Sequence, residues 1–206
     1  MTKKQQTRQK IINVSKNYFM SKGYKDTLIS DIASEIKIDR RTVYRHFESK
    51  ELILLEILSA AFKDFSKHLL ETEFKIRYNV FEKIDVLFDK YFDYFKTNNY
   101  MFLLVGMLDR NLSTESRNSK SYLCFIETSK VPDVLLGELI QEGIDNGMIR
   151  NEITSEITAI SINNALLSLA SRIATQKEKL DNEQHIESWK MLEILADLLI
   201  SGLKND

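Results

Sequence analysis

Three arginines within one short segment are the residues of this chain best suited to bind a polyanion. Arg40, Arg41 and Arg45 fall in the stretch RRTVYRHF. If this stretch is helical, Val43 and Phe47 are four residues apart and share one face, so placing them inward leaves the arginines free to point outward. Guanidinium groups held in this way can pair with phosphates or with the acceptor edge of guanine.

The segment before the arginines predicts a second short helix. Ile29, Ile32, Ala33 and Ile36 recur at spacings of three and four, which is typical of a single apolar stripe on a helix. Thr27 is expected to cap the start of this helix with its side chain. The next helix is then expected to begin after a second cap at Asp39. Two short helices joined by a tight turn make a helix-turn-helix.

An upstream helix completes a minimal core. Residues 5–22 carry apolar side chains at helical spacing, and Gly23, which tolerates positive φ, is expected to end this helix. The predicted core of the three helices consists of Ile11, Tyr18, Phe19, Ile32, Ile36, Val43 and Phe47.

Charge divides the chain near the same place. Residues 1–50 contain 12 Lys and Arg against 5 Asp and Glu, whereas residues 51–206 contain 17 against 25. The overall net charge of −1 therefore hides a head of +7 on a body of −8. This asymmetry indicates a polyanionic partner for the head. Taken alone, the basic patch also fits a merely solvated surface.

The head resembles the DNA-binding domain of the tetracycline-repressor (TetR) family of bacterial one-component regulators, over residues 8–58. The residues that carry the resemblance are Ile32-Ala33, the Thr-x-Tyr-x-x-Phe of Thr42, Tyr44 and Phe47, and Lys50, Glu51 and Ile53. The resemblance implies a DNA-binding set of Thr27, Arg40, Arg41, Thr42, Tyr44, Arg45, His46 and Lys50.

Within that set, the resemblance implies that Arg40 and Arg41 read bases while Thr42, Tyr44, His46 and Lys50 contact phosphates. Tyr44 could instead pack on the domain, and His46 and Lys50 could be plain surface residues. A lysine in the first turn of a helix opposes the helix dipole, which suggests that Lys50 has another role.

Three positions depart from the family's pattern. Lys37 stands in the turn where glycine is usual, and a positive φ there costs about 1 kcal/mol relative to glycine. Leu28 stands where a second threonine is common, which removes one possible phosphate contact. Arg41 stands where a small residue is frequent, and its guanidinium group has paired donors that fit the O6 and N7 acceptors of guanine.

The rest of the chain predicts a second, all-helical core. Pro132 is the only proline, and apolar residues recur at helical spacing almost throughout. The predicted helices cover residues 50–70, 79–97, 99–111, 115–129, 133–146, 154–176 and 184–203. We therefore expect an all-α chain with two domains, a three-helix helix-turn-helix DNA-binding domain at 1–48 and a helical bundle for ligand binding and dimerisation at 49–206.

Neither a membrane segment nor a catalytic centre is predicted. No apolar run approaches 18 residues and no signal peptide opens the chain, so a cytoplasmic location without membrane contact is expected. Cys124, the only cysteine, is expected to be a small core residue, with a redox sensor as the alternative. His46, His68 and His185 show no ligand spacing. We expect no enzymatic activity, no metal and no cofactor.

Aromatic residues are dense between residues 62 and 125. Phe88, Tyr91, Phe92 and Phe95 form an i, i+3, i+4, i+7 stripe, which ordinary core packing would also explain. Because TetR-family members bind small-molecule inducers in this region, the resemblance implies a pocket with few polar groups. Its predicted lining is Phe62, Phe65, Phe88, Tyr91, Phe92, Phe95, Phe102, Met107 and Phe125.

The last two predicted helices have more apolar surface than one protomer can cover. Residues 157–174 are apolar or small on nearly every face, and residues 186–203 carry a wide apolar stripe. A homodimer joined by a four-helix seam would cover both, and a monomeric bundle is the alternative. The predicted seam contains Leu166, Ala170, Ile173, Trp189, Leu192, Leu195 and Leu199.

Together these features predict a homodimeric DNA-binding transcriptional regulator, more often a repressor than an activator. It would bind a palindromic operator in double-stranded DNA and be released by a small hydrophobic or aromatic effector. Two alternatives stay open. One is a helical-bundle carrier or interaction protein that keeps the fold without binding an operator, and the other is an enzyme built on a helical bundle.

Overall fold

The structure, a computed structural model, describes residues 1–74, 77–185 and 187–205, apart from the side chain of Gln184. Over these ranges the chain forms eleven helices, and the only β pairing is a single bridge between Ile149 and Lys204. The helices are α1 (Lys3–Lys22), α2 (Ile29–Glu35), α3 (Arg40–His46), α4 (Lys50–Leu70), α5 (Val80–Thr97), α6 (Asn99–Asn111), α7 (Thr114–Arg117), α8 (Lys120–Ser129), α9 (Val131–Asp145), α10 (Ser155–Gln184) and α11 (Lys190–Ser201). The predicted all-α class, with a helix-turn-helix head and a helical body, is confirmed.

The head folds around the predicted apolar stripe. Ile11, Phe19, Ile32, Val43 and Phe47 are all buried, whereas the predicted core residues Tyr18 and Ile36 are only partly buried at its margin. Since Val43 and Phe47 face inward as predicted, the opposite face of α3 is left at the surface.

Two turns of the head take the backbone conformations expected of them. Gly23 ends α1 at φ +85°, and its amide donates to the carbonyl of Phe19. Lys37 has φ +56°, so a lysine does occupy the left-handed position for which glycine is better suited. Asp39 is the N-cap residue of α3, but its side chain makes no capping hydrogen bond.

The predicted helix at 115–129 is wrong, because a serine divides it. The Ser119 hydroxyl donates to the carbonyl of Ser116, at 2.6 Å, and accepts from the amide of Tyr122, at 3.1 Å. These two bonds end α7 and cap α8. Competition of this kind between a serine side chain and the helical backbone favours helix ends.

The two C-terminal helices also differ from their predicted bounds. α10 continues eight residues beyond the predicted end at 176, across a kink where Gln176 has φ −132°, and stops at His185 with φ +53°. α11 begins only at Lys190, because the Ser188 amide and hydroxyl donate to Asp181 and hold the connection against α10. Ile186, predicted to lie on the apolar stripe of the last helix, falls outside the described residues.

One apolar core runs through head and body. α4 contributes buried residues along its whole length, from Ile53 near the head to Leu69 at its far end. It packs against α1 at the head and against α8 and α6 in the body, while α10 packs mainly on α6 and α9. α4 is therefore a wall shared by both parts of the molecule.

α10 is the one helix of the described chain that is long and apolar enough to cross a membrane by length and composition, since an 18-residue window within Ser155–Glu183 reaches a mean hydropathy of 1.2. The expectation that no apolar run approaches 18 residues is therefore wrong. In the fold, a stripe that includes Ala159, Leu166 and Ile173 is buried in the body. The central helix of a folded domain has the same composition.

Candidate nucleic-acid interface and ligand cavity

The outer face of α3 presents three arginines to solvent. Arg40, Arg41 and Arg45 are exposed, and among the residues that the structure describes none of them takes part in an ion pair. Tyr44, between them, is 43% exposed. The guanidinium groups are therefore available to an external anion, as the spacing of Val43 and Phe47 in the sequence predicted.

An arginine on α1 locks α3 in place. Arg8 donates from Nη1 to the carbonyl of His46 at 2.7 Å, and its guanidinium lies 4.0 Å from the centre of the Phe47 ring. It also forms a two-point ion pair with Glu56 on α4, in which Nε donates at 3.0 Å. Arg8 was missed from the sequence, although its spacing of three from Ile11 places it on the buried stripe of α1.

Two residues of the predicted DNA-binding set are corrected. Thr27 is fully buried and its hydroxyl donates to the carbonyl of Gly23 at 2.7 Å, so it faces the head's interior. It does not cap α2 either, because the N-cap residue is Leu28. The Lys50 ammonium donates to the carbonyls of Tyr24 at 2.5 Å and Thr27 at 2.8 Å, so it fastens the α1–α2 connection and is not free for a phosphate.

The other two predicted phosphate contacts lie beside the arginines. Thr42 and His46 are partly buried at the edges of α3. Burial lowers the pKa of His46, and the nearby cations Arg45, Arg8 and Lys4 lower it further. His46 therefore favours its neutral form, and the same three cations mark a positive surface that continues from α3 to the start of α1.

The body contains a cavity of about 410 Å³ between α4, α5, α6, α8, α9 and α10, and it opens to solvent beside the exposed residues Asp109, Arg110, Asn164 and Ser168. Its volume lies within the range of about 300–1,000 Å³ that is usual for small-molecule sites. Five of the predicted aromatic residues line it: Phe62, Phe65, Tyr91, Phe95 and Phe125.

Four residues predicted to line this cavity do not. Phe102 is fully buried and packs edge-on against Phe95, with 4.2 Å between ring centres. Phe88 and Phe92 pack against each other on α5, and Met107 is buried elsewhere in the core. For these residues the alternative of ordinary core packing is correct.

The cavity is also far more polar than predicted. Polar residues from α6, the α8–α9 junction and α10 form one side of it: Asp109, Arg110, Ser129, Asp133, Asn163, Asn164, Ser168 and Ser171. A signal in the sequence could have found part of this set. Asn164, Ser168 and Ser171 are spaced by four and three within an otherwise apolar helix, which marks a polar stripe.

At one end of the cavity a carboxyl group and an amide are joined. Asn163 Nδ2 donates to Asp133 Oδ1 at 2.8 Å, while Asn163 Oδ1 is buried and has no hydrogen-bond partner. Burial raises the pKa of Asp133, and the bond from Asn163 partly offsets this. Burial also raises the pKa of Tyr91, whose hydroxyl donates to the carbonyl of Pro132 at 3.1 Å.

A second polar group lies where α6 crosses α10. A Cβ added to Gly106 would stand 2.5 Å from Ser171 Oγ, so glycine leaves room for the Ser171 side chain, and it would make ordinary contact with Arg110 Nη1 at 3.5 Å. Burial raises the pKa of the neighbouring Asp109, and the charges of Arg110 and Arg117 oppose that rise.

Most of the predicted dimer seam does not lie at the protomer surface. Five of its members are buried inside the protomer, and Leu195 and Leu199 are half-buried against the same core. The buried members are Leu166, Ala170, Ile173, Trp189 and Leu192. Leu166 also lines the cavity.

The same two helices expose other apolar side chains. Ile157 and Ile160 on α10 are 64% and 37% exposed, and Ile194 and Leu198 on α11 are 56% and 67% exposed. We call these four residues the outer apolar face. Cys124, expected in the core, is exposed on α8.

The chain joins a helix-turn-helix head with exposed arginines to a helical body that contains a cavity. Residues 11–57 match the family described as "Bacterial regulatory proteins, tetR family". This match covers the helix-turn-helix head and the start of α4.

Known members of the family match over different lengths. The chain is 30% identical over 84 residues to the biofilm operon icaADBC HTH-type negative transcriptional regulator IcaR of Staphylococcus aureus (strain Newman). That match spans 41% of this chain and only 45% of the regulator. A structure of the fatty acid degradation regulator FadR from Bacillus halodurans matches 100% of this chain and 99% of its own with a TM-score of 0.71 at 20% identity.

FadR from Bacillus subtilis in complex with stearoyl-CoA matches 95% of this chain and 98% of its own, with a TM-score of 0.69 at 19% identity. At these identities the two structures show a shared fold alone.

Proposed function

We propose that this protein is a DNA-binding transcriptional repressor that a small molecule releases from its operator. The observation that carries the proposal is the exposed, unpaired trio Arg40, Arg41 and Arg45, on a helix held from behind by Val43 and Arg8. IcaR, which is 30% identical to this chain over 84 residues, is named a negative transcriptional regulator.

Arg40 and Arg41 lie in the first turn of α3, where a recognition helix meets base edges. Each bidentate contact to guanine would contribute about 1–3 kcal/mol of discrimination. Arg45, Thr42, Tyr44 and His46 would hold phosphates on either side. This division assigns sequence preference to two residues and general affinity to four.

The operator would be a palindrome bound by a homodimer. The outer apolar face is the proposed seam, because two helices of one protomer leave Ile157, Ile160, Ile194 and Leu198 uncovered in water. Two-fold symmetry places the recognition helices on half-sites about 34 Å, one turn of DNA, or a multiple of this apart. We assign DNA binding to residues 1–48 and effector binding and dimerisation to residues 49–206.

The cavity is the proposed effector site. Phe62 and Phe65 of α4 form part of its wall, and the same helix begins at Lys50, which is fastened to the head. A helix of 21 residues spans about 30 Å, enough to join the two sites. A ligand that displaces α4 would change the spacing of the two heads and prevent simultaneous docking. Acting on DNA, the protein would work in the cytoplasm, without membrane contact and without an enzymatic activity of its own.

DNA selection with the full-length protein tests this function. We expect enrichment of a palindrome, and Arg40→Ala or Arg41→Ala should each weaken operator binding by about 1–3 kcal/mol and relax base preference. Arg150→Ala, which removes an exposed arginine from the body, is the control. Failure to bind any DNA with a salt-dependent affinity would favour the carrier alternative.

Release by an effector has a thermodynamic signature. If the ligand weakens operator binding by some factor, the operator must weaken ligand binding by the same factor. Titration of a cavity ligand with and without saturating operator measures the ligand affinity of the operator-bound and of the free protein. Equal ligand affinity in the two titrations would leave a DNA-binding protein without this switch.

A further inference from the structure

At one end of the cavity Asp133 and Asn163 offer hydrogen-bond acceptors. Asn163 has placed its Nδ2 donor on Asp133, and its Oδ1 is buried without a partner. The hydroxyl of Tyr91, which also lines the cavity, donates to the carbonyl of Pro132. We call Asp133 and Asn163 the acceptor pole. Buried acceptors of this kind are nearly always paired in folded proteins, so the pole is suited to a donor supplied from outside.

Charge at the acceptor pole points the same way. Asp133 is partly buried, and no ion pair involves it among the residues that the structure describes. Its carboxylate accepts one bond, from an amide, which leaves lone pairs on both oxygens. A cationic donor would meet both the carboxylate and the orphan oxygen of Asn163.

The opposite end of the cavity is closer to neutral. Arg110 lies beside Asp109 on α6 and close to Ser171 on α10, so its charge has a neighbouring carboxylate. Asn163 and Ser171 are eight residues apart on one helix, which places the two polar ends about 12 Å from each other. Between them the wall includes the apolar Leu166 and Leu167 beside the exposed polar residues Asn164 and Ser168.

We propose that the cavity takes an amphipathic amine, with its ammonium group on Asp133 and Asn163 Oδ1 and an apolar body about 12 Å long lying toward Arg110. This inference rests on the proposed role of the cavity as effector site and specifies the class of effector. A carboxylate head at the same place would meet acceptors alone, and their repulsion would be strongest inside the protein, where water screens least. A polyanionic head such as that of stearoyl-CoA fits the acceptor pole still less.

Calorimetric titration of the full-length protein with three probes of equal length tests the head group. The probes are decylamine, 1-decanol and decanoate. Decylamine is expected to bind at least about tenfold more tightly than decanoate, with decanol between them, since bonds between charged groups are about twice as strong as neutral ones.

Asp133→Asn should remove most of the advantage of decylamine over decanol and leave decanol binding nearly unchanged. Asp89→Asn removes the same charge from an exposed site on α5 and should change neither the advantage of decylamine nor the binding of decanol. Asn163→Leu removes the orphan acceptor and should weaken both amine and alcohol. If Asp133→Asn does not fold, the order of the three probes on the unaltered protein decides the matter.

Three results would overturn the inference: decanoate or decanoyl-CoA binding as tightly as decylamine, an unchanged preference in Asp133→Asn, or no binding of any probe. Decanoyl-CoA that binds and releases the operator would refute the amine head group and leave the proposed function intact. A protein that binds decylamine but no DNA would do the opposite.

Discussion

Glu51 connects the start of α4 to the segment that follows α6. Its Oε2 accepts from the Ser113 amide at 3.2 Å, from the Ser113 hydroxyl at 2.7 Å and from the Ser116 hydroxyl. Asp109 and Arg110, on the cavity wall, lie on the last turn of α6 just before Ser113. A movement of α6 caused by a ligand would therefore reach the first turn of α4 through this one carboxylate.

The size of this connection follows from its bonds. A hydrogen bond to a charged group contributes about 1.5–3 kcal/mol, and the three bonds to Glu51 share one partly exposed carboxylate, so they do not add in full. Glu51→Gln keeps the shape and removes the charge, and we expect it to cost about 1.5 kcal/mol. For a chain of this length that corresponds to a fall in Tm of about 3–6 °C.

The functional effect of Glu51→Gln should exceed its effect on stability. Effectors typically change the affinity at a second site by about 5–150-fold. In Glu51→Gln we expect the ligand to change operator affinity by a factor close to one. Operator binding is measured by fluorescence anisotropy with and without ligand, beside unfolding followed by circular dichroism. Glu71→Gln, which breaks an exposed pair with Lys67 at the other end of α4, is the control.

A double-mutant cycle of Glu51→Gln with Ser116→Ala isolates the bond from general loosening. The two changes should be less costly together than their sum by about 1 kcal/mol, because each removes the same interaction. Additive effects, or a Glu51→Gln protein that still releases DNA fully on ligand binding, would refute this route from cavity to head.

Three further outcomes are expected. Lys50→Met leaves the carbonyls of the α1–α2 connection without their donor, so it should lower the Tm and weaken binding to all DNA sequences alike, as thermal melts and anisotropy on operator and unrelated DNA would show. Leu198→Glu, at an exposed position, should leave a folded monomer in sedimentation, whereas Leu192→Glu buries a charge in the protomer and should unfold it. Burial raises the pKa of Glu51, but the hydrogen bonds from Ser116 and Ser113 outweigh burial and bring the pKa below its usual 4.5. The stability that this carboxylate contributes is therefore complete above pH 4.5 and is lost below it, as the carboxyl group of the folded protein becomes protonated. Unfolding measured during acid titration should show this loss in the unaltered protein and not in Glu51→Gln.

The head could be predicted almost completely, because its determinants are local. The spacing of Val43 and Phe47 is enough to turn Arg41 outward, and Gly23 marks the end of α1 within one residue. Its two errors in the DNA-binding set are Lys50, whose partners Tyr24 and Thr27 lie 26 and 23 positions away in the chain, and Thr27. Thr27 looks like a cap from its position before α2, and only the packed core shows that its hydroxyl faces Gly23.

The cavity could be predicted only in part, since its walls come from six helices. Periodicity shows that Phe88 and Tyr91 face inward, but it does not show which inward residue borders an empty volume. The polar groups were missed for the same reason. Asp133 and Asn163 are separated by 30 positions in the chain, and each alone resembles an ordinary surface residue at a helix start or in mid-helix.

α10 shows why the seam was misplaced and what its two faces imply. The helix is apolar or small all round, so the sequence alone cannot decide which stripe its own protomer covers. The fold buries Ala159, Leu166 and Ile173, turns Asn163 into the cavity and leaves Ile157 outside. A ligand on the acceptor pole would thus touch the helix that also carries the proposed seam.

Two routes from the cavity to the DNA are then possible, one through α10 and the seam and the other through α6 and α4. A displacement of α10 would disturb its long buried stripe, which packs against α6 and α9 and resists movement as a dense core does. A displacement of only the last turn of α6 toward α4 would shift or break the three hydrogen bonds around Glu51, while the rest of α6 stays packed against α4 and α10. Because those bonds cost less to rearrange than a packed apolar stripe, we expect the dimer seam to stay fixed while α4 moves each head. The ligand should therefore leave the dimerisation constant unchanged under conditions where operator affinity falls, and a ligand-dependent dissociation of the dimer would place the switch in α10 instead.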